Sequence, residues 1–140
     1  MHYVDANVFV HAVLEDNANG AAARYFLRTR NAEQPIYTSI LTLDETIWAI
    51  QKRSSRPLAL STARGIMDAE HVRLLNATEP IATKALEIME ELNLRPRDAF
   101  HAATMYDQGL DRMVSFDADF DRIGWIKRID LGQLGKKIEK

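Results

Sequence analysis

The sequence predicts an α/β fold, with a mostly parallel central sheet and helices on both of its faces. Three observations carry this expectation. Short strand-like runs alternate with longer segments of helical apolar spacing throughout the chain. Capping residues, prolines and a glycine fall at the boundaries between them. The 140 residues are 46% hydrophobic and 27% charged, enough to bury a core while staying soluble, so one domain spanning residues 1–140 is expected.

The elements follow in order. Tyr3-Val4-Asp5 reads as the end of a short, buried first strand. Asn17 to Arg30 carries Ala22, Ala23, Phe26 and Leu27 on one side and reads as a helix. Pro35-Ile36-Tyr37-Thr38 reads as the second strand. Ser39 can then cap a helix running to about Lys52, with Ile40, Leu43, Ile47 and Ile50 at core spacing. Ser54-Ser55-Arg56-Pro57 is expected to be a loop, followed by a helix from Leu60 to Glu70. Val72-Arg73-Leu74-Leu75 is the third strand, and Glu79-Pro80 opens a helix ending near Asn93. Pro96 stands close to the start of the next helix, Arg97 to Gln108, and Gly109 stops it. Arg112-Met113-Val114-Ser115 is the fourth strand. Asp117 to Arg122 is a short helical turn, and Trp125 to Ile129 is the last strand.

Composition narrows the chemistry. The chain has no cysteine, which excludes disulfides and thiolate-bound zinc or iron–sulfur centres and agrees with a reducing cytoplasm, the expected location. No apolar run is long enough to span a membrane, and Asp5 lies where a secretory signal would carry positive charge. Net charge is −2, from 18 Lys and Arg against 20 Asp and Glu; setting five acids aside for a cation site leaves 18 against 15. The basic residues gather as Arg24, Arg28 and Arg30; Lys52, Arg53 and Arg56; Arg95 and Arg97; and Lys136, Lys137 and Lys140. Each group alone is ordinary solvated surface, and together they permit a polyanionic partner without demanding one.

In open parallel sheets ligands bind beyond the carboxyl ends of the strands. Asp5 follows the first strand, Ser39 and then Glu45 follow the second, and Asp117 and Asp119 follow the fourth. Each acid has an ordinary structural role open to it. Asp5 suits a helix cap or turn, and Asn7 can anchor its loop by hydrogen bonding. Glu45, between Leu41 and Trp48 at helical spacing, sits at the edge of a buried face, where a carboxylate is costly unless paired. Asp98 falls in a first helical turn, where the helix dipole favours negative charge. His101 shares its face and is expected to be packed or on the surface rather than a ligand.

The segment Ser115-Phe116-Asp117-Ala118-Asp119-Phe120-Asp121 adds three aspartates at alternate positions. It is not an EF-hand loop, because Arg122 and Arg128 occupy the positions that need Gly and an acid. A loop into a helical turn, anchored by Phe116 and Phe120, suits it better. Acids crowded at one rim make sense with a divalent cation as partner, and oxygen ligands without His or Cys point to Mg²⁺ or Mn²⁺.

Four segments, in order and across nearly the whole chain, resemble the PIN-domain ribonucleases, specifically the VapC-type toxins of toxin–antitoxin modules. They are Tyr3-Val4-Asp5-Ala6-Asn7-Val8-Phe9, Thr38-Ser39-Ile40-Leu41-Thr42-Leu43-Asp44-Glu45, Asp98-Ala99-Phe100-His101-Ala102-Ala103 and Ser115-Phe116-Asp117-Ala118-Asp119-Phe120. The resemblance implies the PIN fold and Mg²⁺- or Mn²⁺-dependent RNA hydrolysis. It implies catalytic acids at Asp5, Glu45, Asp98 and Asp117, with Asp5, Asp98, Asp117 and Asp119 on the metal. Asn7 and Ser39 would support the site, and Asp121 matches no acid of the family.

The resemblance further implies an RNA substrate, a VapB-like antitoxin, and a homodimer without membrane contact. Phe9, Phe26 and Trp48 are candidates for the partner surface, with core packing favoured for Phe26. A haloacid-dehalogenase-like phosphatase is the weaker alternative, since Asp5-Ala6-Asn7 lacks its second acid. A receiver-like phosphoacceptor would need an Asp where Asn76 stands. A PIN fold kept only as an interaction module is the remaining alternative.

Overall fold

The computed structural model describes residues 1–133. In chain order it has β1 (His2–Val4), α1 (Ala6–Leu14), α2 (Ala18–Arg28), β2 (Ile36–Ser39), α3 (Ile40–Arg53), α4 (Arg56–Asp68) and β3 (Val72–Leu75). Then come α5 (Glu79–Glu91), α6 (Pro96–Asp107), β4 (Arg112–Val114), a 3₁₀ turn (Ala118–Arg122) and β5 (Lys127–Ile129). The strands form one sheet in the spatial order β3-β2-β1-β4-β5, and every neighbouring pair is parallel. The sheet expected to be mostly parallel is thus parallel at each of its pairings among the described residues.

Successive strand side chains point to opposite faces. Tyr3 and Met113, paired in register, enter one core with Ile81 and Ala85 of α5, Ala102 of α6 and Phe120. Val4 and Val114, the next pair, enter the other core with Val8 and Phe9 of α1, Phe26 of α2 and Leu43 of α3. Both faces of the sheet are therefore covered by helices.

Three features depart from the sequence expectation. Helix α1 occupies a stretch that had no assigned element. Its Val8-Phe9-Val10 run has no one-sided spacing because it packs into two clusters, Val8 and Phe9 on the sheet and Val10 on Ile50 and Ala59. Burial there overrides the modest helix propensity of Val. Helix α4 starts at Arg56, inside the expected loop. Ser55 caps it through the Leu58 amide at 3.2 Å, and Pro57 sits in the first turn, where no donor is needed. Strand β5 begins at Lys127, after Trp125.

Phe9 and Phe26 are core residues, 5% and 7% exposed, which removes them as partner-surface candidates; Trp48 is 54% exposed. A Cβ at Gly20 would lie 1.9 Å from the Glu15 carbonyl oxygen, so the close turn from α1 into α2 requires glycine. Gly109 ends α6 at φ +68°. Lys136, Lys137 and Lys140 lie outside the described residues. No helix among the described residues is long and apolar enough to cross a membrane.

Candidate metal centre

The chain leaves β1 for β2 and β3 on one side, then returns to β4 and β5 on the other. The strand order therefore reverses about β1, and the rim beyond β1 and β4 is the expected ligand crevice. Val4 pairs with Val114, so Asp5 and Ser115 emerge side by side. Asp5 is buried. Its Oδ1 accepts from the Ala6 amide at 2.7 Å, capping α1, and its Oδ2 accepts from the Ser115 hydroxyl at 2.8 Å. One carboxylate thus fills its capping role and still stands on the rim.

Ser115 Oγ also accepts from Asn7 Nδ2 at 3.2 Å and from the Asp117 amide at 3.0 Å. Asn7 Oδ1 accepts from the Phe116 amide at 3.2 Å. Asn7 therefore stitches the start of α1 to the loop after β4.

Ser39, fully buried, accepts from the Thr42 amide at 3.3 Å and caps α3. Its Oγ lies 2.8 Å from the Tyr3 hydroxyl, which lies 2.6 Å from His101 Nδ1. His101 Nε2 lies 2.5 Å from Glu45 Oε1 and 3.9 Å from Asp5 Oδ1. A buried hydrogen-bonded chain thus runs from the α3 cap through the sheet to Glu45. Burial by itself would discharge the imidazole, but Tyr3, Glu45 and Asp5 outweigh it and hold His101 well above the ordinary histidine range. With the ring neutral, Tyr3 donates to Nδ1; with it charged, Nδ1 donates to Tyr3. Either way Nε2 keeps a hydrogen for Glu45, so the ring orients that carboxylate and has no lone pair free for a metal.

The second group lies on the Asp98 side. Carboxylate oxygens of Asp98, Asp117 and Asp119 fall within 4.8 Å of one another, as do ligand atoms of Asp5, Glu45 and His101. Arg95 spans the Asp98 group, 3.3 Å from Asp98, 3.0 Å from Asp117 and 3.9 Å from Asp119. Burial raises the Asp98 carboxyl above the ordinary range; Arg95 opposes this, and the charges of Asp117 and Asp5 add to it. Burial likewise raises Asp5, against the counter-effects of His101, Ser115 and the Ala6 amide. Two carboxyls strained toward the protonated form, on a rim of further carboxylates, fit a hard divalent cation in their donor chemistry.

The alternating segment after β4 is divided by role. Phe120 is fully buried and half-buried Phe116 packs against His11, ring centroids 4.4 Å apart. Asp117 Oδ1 accepts from the Asp119 amide at 2.9 Å, opening the 3₁₀ turn. Asp121 turns away, and both its oxygens accept from Arg128 at 2.9 and 3.1 Å.

Of the seven residues singled out in the sequence, the five acids border this rim, Asn7 ties its two edges together and Ser39 lies buried beneath it. Three participants were not anticipated. His101 is packed, as expected, but between Tyr3 and Glu45. Its signal was its place one turn after Asp98. Ser115 carried a signal in its position at a strand end. The reach of Arg95 to the loop after β4 left none.

A family model for the PIN domain matches residues 2–126. No curated protein matches the chain by sequence. Among solved structures, the sarcin–ricin-loop-cleaving toxin VapC20 of Mycobacterium tuberculosis is similar at TM-score 0.77 and 22% identity, over 90% of this chain and 97% of that one. The DNA-bound VapBC of Salmonella typhimurium is similar at TM-score 0.70 and 21% identity, over 93% and 97%. FitAcB of Neisseria gonorrhoeae is similar at TM-score 0.70 and 16% identity, over 94% and 98%. At these identities the structural likeness concerns the fold. With the family model spanning most of its length, the chain belongs to the PIN domain family.

Proposed function

We propose that this protein is a metal-dependent endoribonuclease of the VapC toxin type. The observation that carries this reading is the gathering of acids from four separate segments into two neighbouring groups on the rim, with burial raising the carboxyls of Asp5 and Asp98. Asp5, Asp98, Asp117 and Asp119 would hold Mg²⁺ or Mn²⁺, with Asp117 the better-placed of the loop pair because Ser115 fixes its amide. The bound cation supplies water activation and charge stabilisation at the attacked phosphate and leaving oxygen. Glu45, oriented by His101, receives the proton of the attacking water. Ser39 and Asn7 hold the frame. No side-chain nucleophile is required.

The partner reading follows from the same rim. Arg95 already sits across Asp98 and Asp117, so the rim accepts a guanidinium. An Arg or Lys from a VapB-like antitoxin would occupy it in the same way. Neighbours of this fold include a VapBC from Salmonella typhimurium. We place the protein as a homodimer in the cytoplasm, bound to such an antitoxin.

Mn²⁺ titration by calorimetry, on the purified chain and on Asp5→Asn and Asp98→Asn, tests the centre. Loss of binding in both variants, with RNA cleavage that EDTA abolishes, is expected. A folded wild-type chain, free of co-purified partner, that binds no metal would refute it in favour of an interaction module.

A further inference from the structure

Trp48 is large, apolar and more than half exposed, on the same face of α3 as Glu45 and one turn beyond it. Two other exposed aromatics, Tyr106 and Trp125, cover one another edge to face at 5.8 Å. Tyr106 also has Lys84 Nζ 4.1 Å from its ring centroid. Trp48 has no aromatic partner among the described residues and is met only by cations: Lys52 Nζ lies 4.7 Å and Arg97 Cζ 5.9 Å from its ring centroid. A cavity of about 280 Å³ is lined by Trp48, Ala49, Asn7, Arg53, Glu45 and Arg97. An adjoining one of about 410 Å³ is lined by Glu45, Arg97, Arg95, Pro96 and Asp98. Glu45 and Arg97 border both cavities, so the aromatic ring and the acidic rim lie in neighbouring concavities that share two wall residues.

We infer that Trp48 is a stacking platform for an unpaired nucleobase of single-stranded RNA, with Arg97 and Lys52 taking the flanking phosphates. The inference rests on the nuclease reading above. An exposed aromatic ring beside Lys and Arg side chains, next to the acidic rim, matches how single strands are bound: bases on rings, backbone on Lys and Arg. Magnitudes favour the base over the present neighbours. Base stacking is worth roughly 5- to 150-fold in affinity by alanine substitution. Exposed cation–π contacts are worth only about 2- to 5-fold. An arriving base would therefore displace the cations from the ring and leave them free for phosphates. A duplex, its bases already stacked, would gain nothing from the platform.

The test is fluorescence anisotropy with a short fluorescein-labelled oligo(A) RNA, and with an RNA duplex of equal length. The full chain carries Asp98→Asn to prevent cleavage, and is compared with Trp48→Ala and Trp48→Phe added. Trp48→Ala should weaken single-strand binding about fivefold or more, while Trp48→Phe stays within about twofold and duplex binding is unchanged. Parent-like binding by Trp48→Ala overturns the platform and leaves the nuclease reading standing. So does an equal loss for single strand and duplex, or a change confined to self-association in sedimentation, which would mark a protein contact. A parent chain that binds neither RNA overturns the platform, while the nuclease reading is tested separately, from EDTA-sensitive RNA cleavage by the chain with Asp98 intact.

Discussion

Tyr3→Phe removes one hydroxyl from the centre of the molecule and leaves the ring in place. Tyr3 is fully buried and packs with Met113 and Ala102, contacts that Phe retains. What is lost is the link between Ser39 Oγ at 2.8 Å and His101 Nδ1 at 2.6 Å. Ser39 still accepts from the Thr42 amide, so its oxygen is not orphaned. His101 Nδ1 has no other partner among the described residues, and the ring is 1% exposed, so water does not replace the bond. Two net hydrogen bonds at ~0.5–1.5 kcal/mol each, with one buried nitrogen left unpaired, give an expected loss of ~2–3 kcal/mol. The assay is urea unfolding: the midpoint should fall while the slope m is unchanged. The melting temperature should drop by roughly 5–10 °C for a chain of this size. RNA cleavage should also fall, because His101 no longer holds Glu45 in one orientation. A stability change below ~0.5 kcal/mol, the range of an ordinary surface substitution, would refute the buried chain from Ser39 to Glu45.

Other perturbations probe the rim. Arg95→Ala should tighten Mn²⁺ binding by about three- to tenfold in calorimetry, because it removes a tethered cation; its side chain is 70% exposed, so each ion pair is worth only ~0.2–1 kcal/mol and the fold should hardly change. Weaker metal binding in that variant would count against competition at Asp98 and Asp117. Phe120→Ala should cost ~3–5 kcal/mol by emptying a fully buried site, and metal affinity should fall with it; Phe120→Leu should restore most of both. The raised carboxyls of Asp5 and Asp98 set a pH dependence. Their folded-state values exceed the unfolded ones, so metal-free stability falls as pH rises from the ordinary carboxyl range through the raised values. Metal must expel protons across that same window, so affinity climbs through it and then levels; calorimetry in buffers of different ionisation enthalpy reads the proton release directly. Affinity independent of pH there would remove Asp5 and Asp98 as ligands.

Much of this molecule is legible in its sequence because the signals are local. Ser39 caps α3 by bonding an amide three residues on, and Gly109 ends α6 where φ must be positive. Val72 to Leu75 is the third strand as read, and Asp98 lies in a first helical turn. Such signals act within a turn of chain, so the residues themselves carry them. Most of the acids could be picked out for a related reason: Asp5 and Asp117 follow strands and Asp98 opens a helix, and parallel sheets put those ends on one rim; Glu45, in the second turn of α3, stood out instead by its place beside a buried face.

The tertiary structure alone decided the rest, wherever a side chain answers to a partner remote in sequence. Helix α1 forms on Val8-Phe9-Val10 because two cores, not one, receive it. His101 is packed, as its sequence position suggests, but its role was decided by remote partners: Tyr3, 98 positions earlier, faces one nitrogen and Glu45, 56 positions earlier, faces the other. Asp5 meets Ser115 across 110 positions through the β1–β4 register, and Arg95 reaches Asp117 across 22. Periodicity and capping carry no information about such contacts. They arise when burial fixes which helices cover which face of the sheet, and hydrogen bonding then has to satisfy every polar group that burial has taken from water.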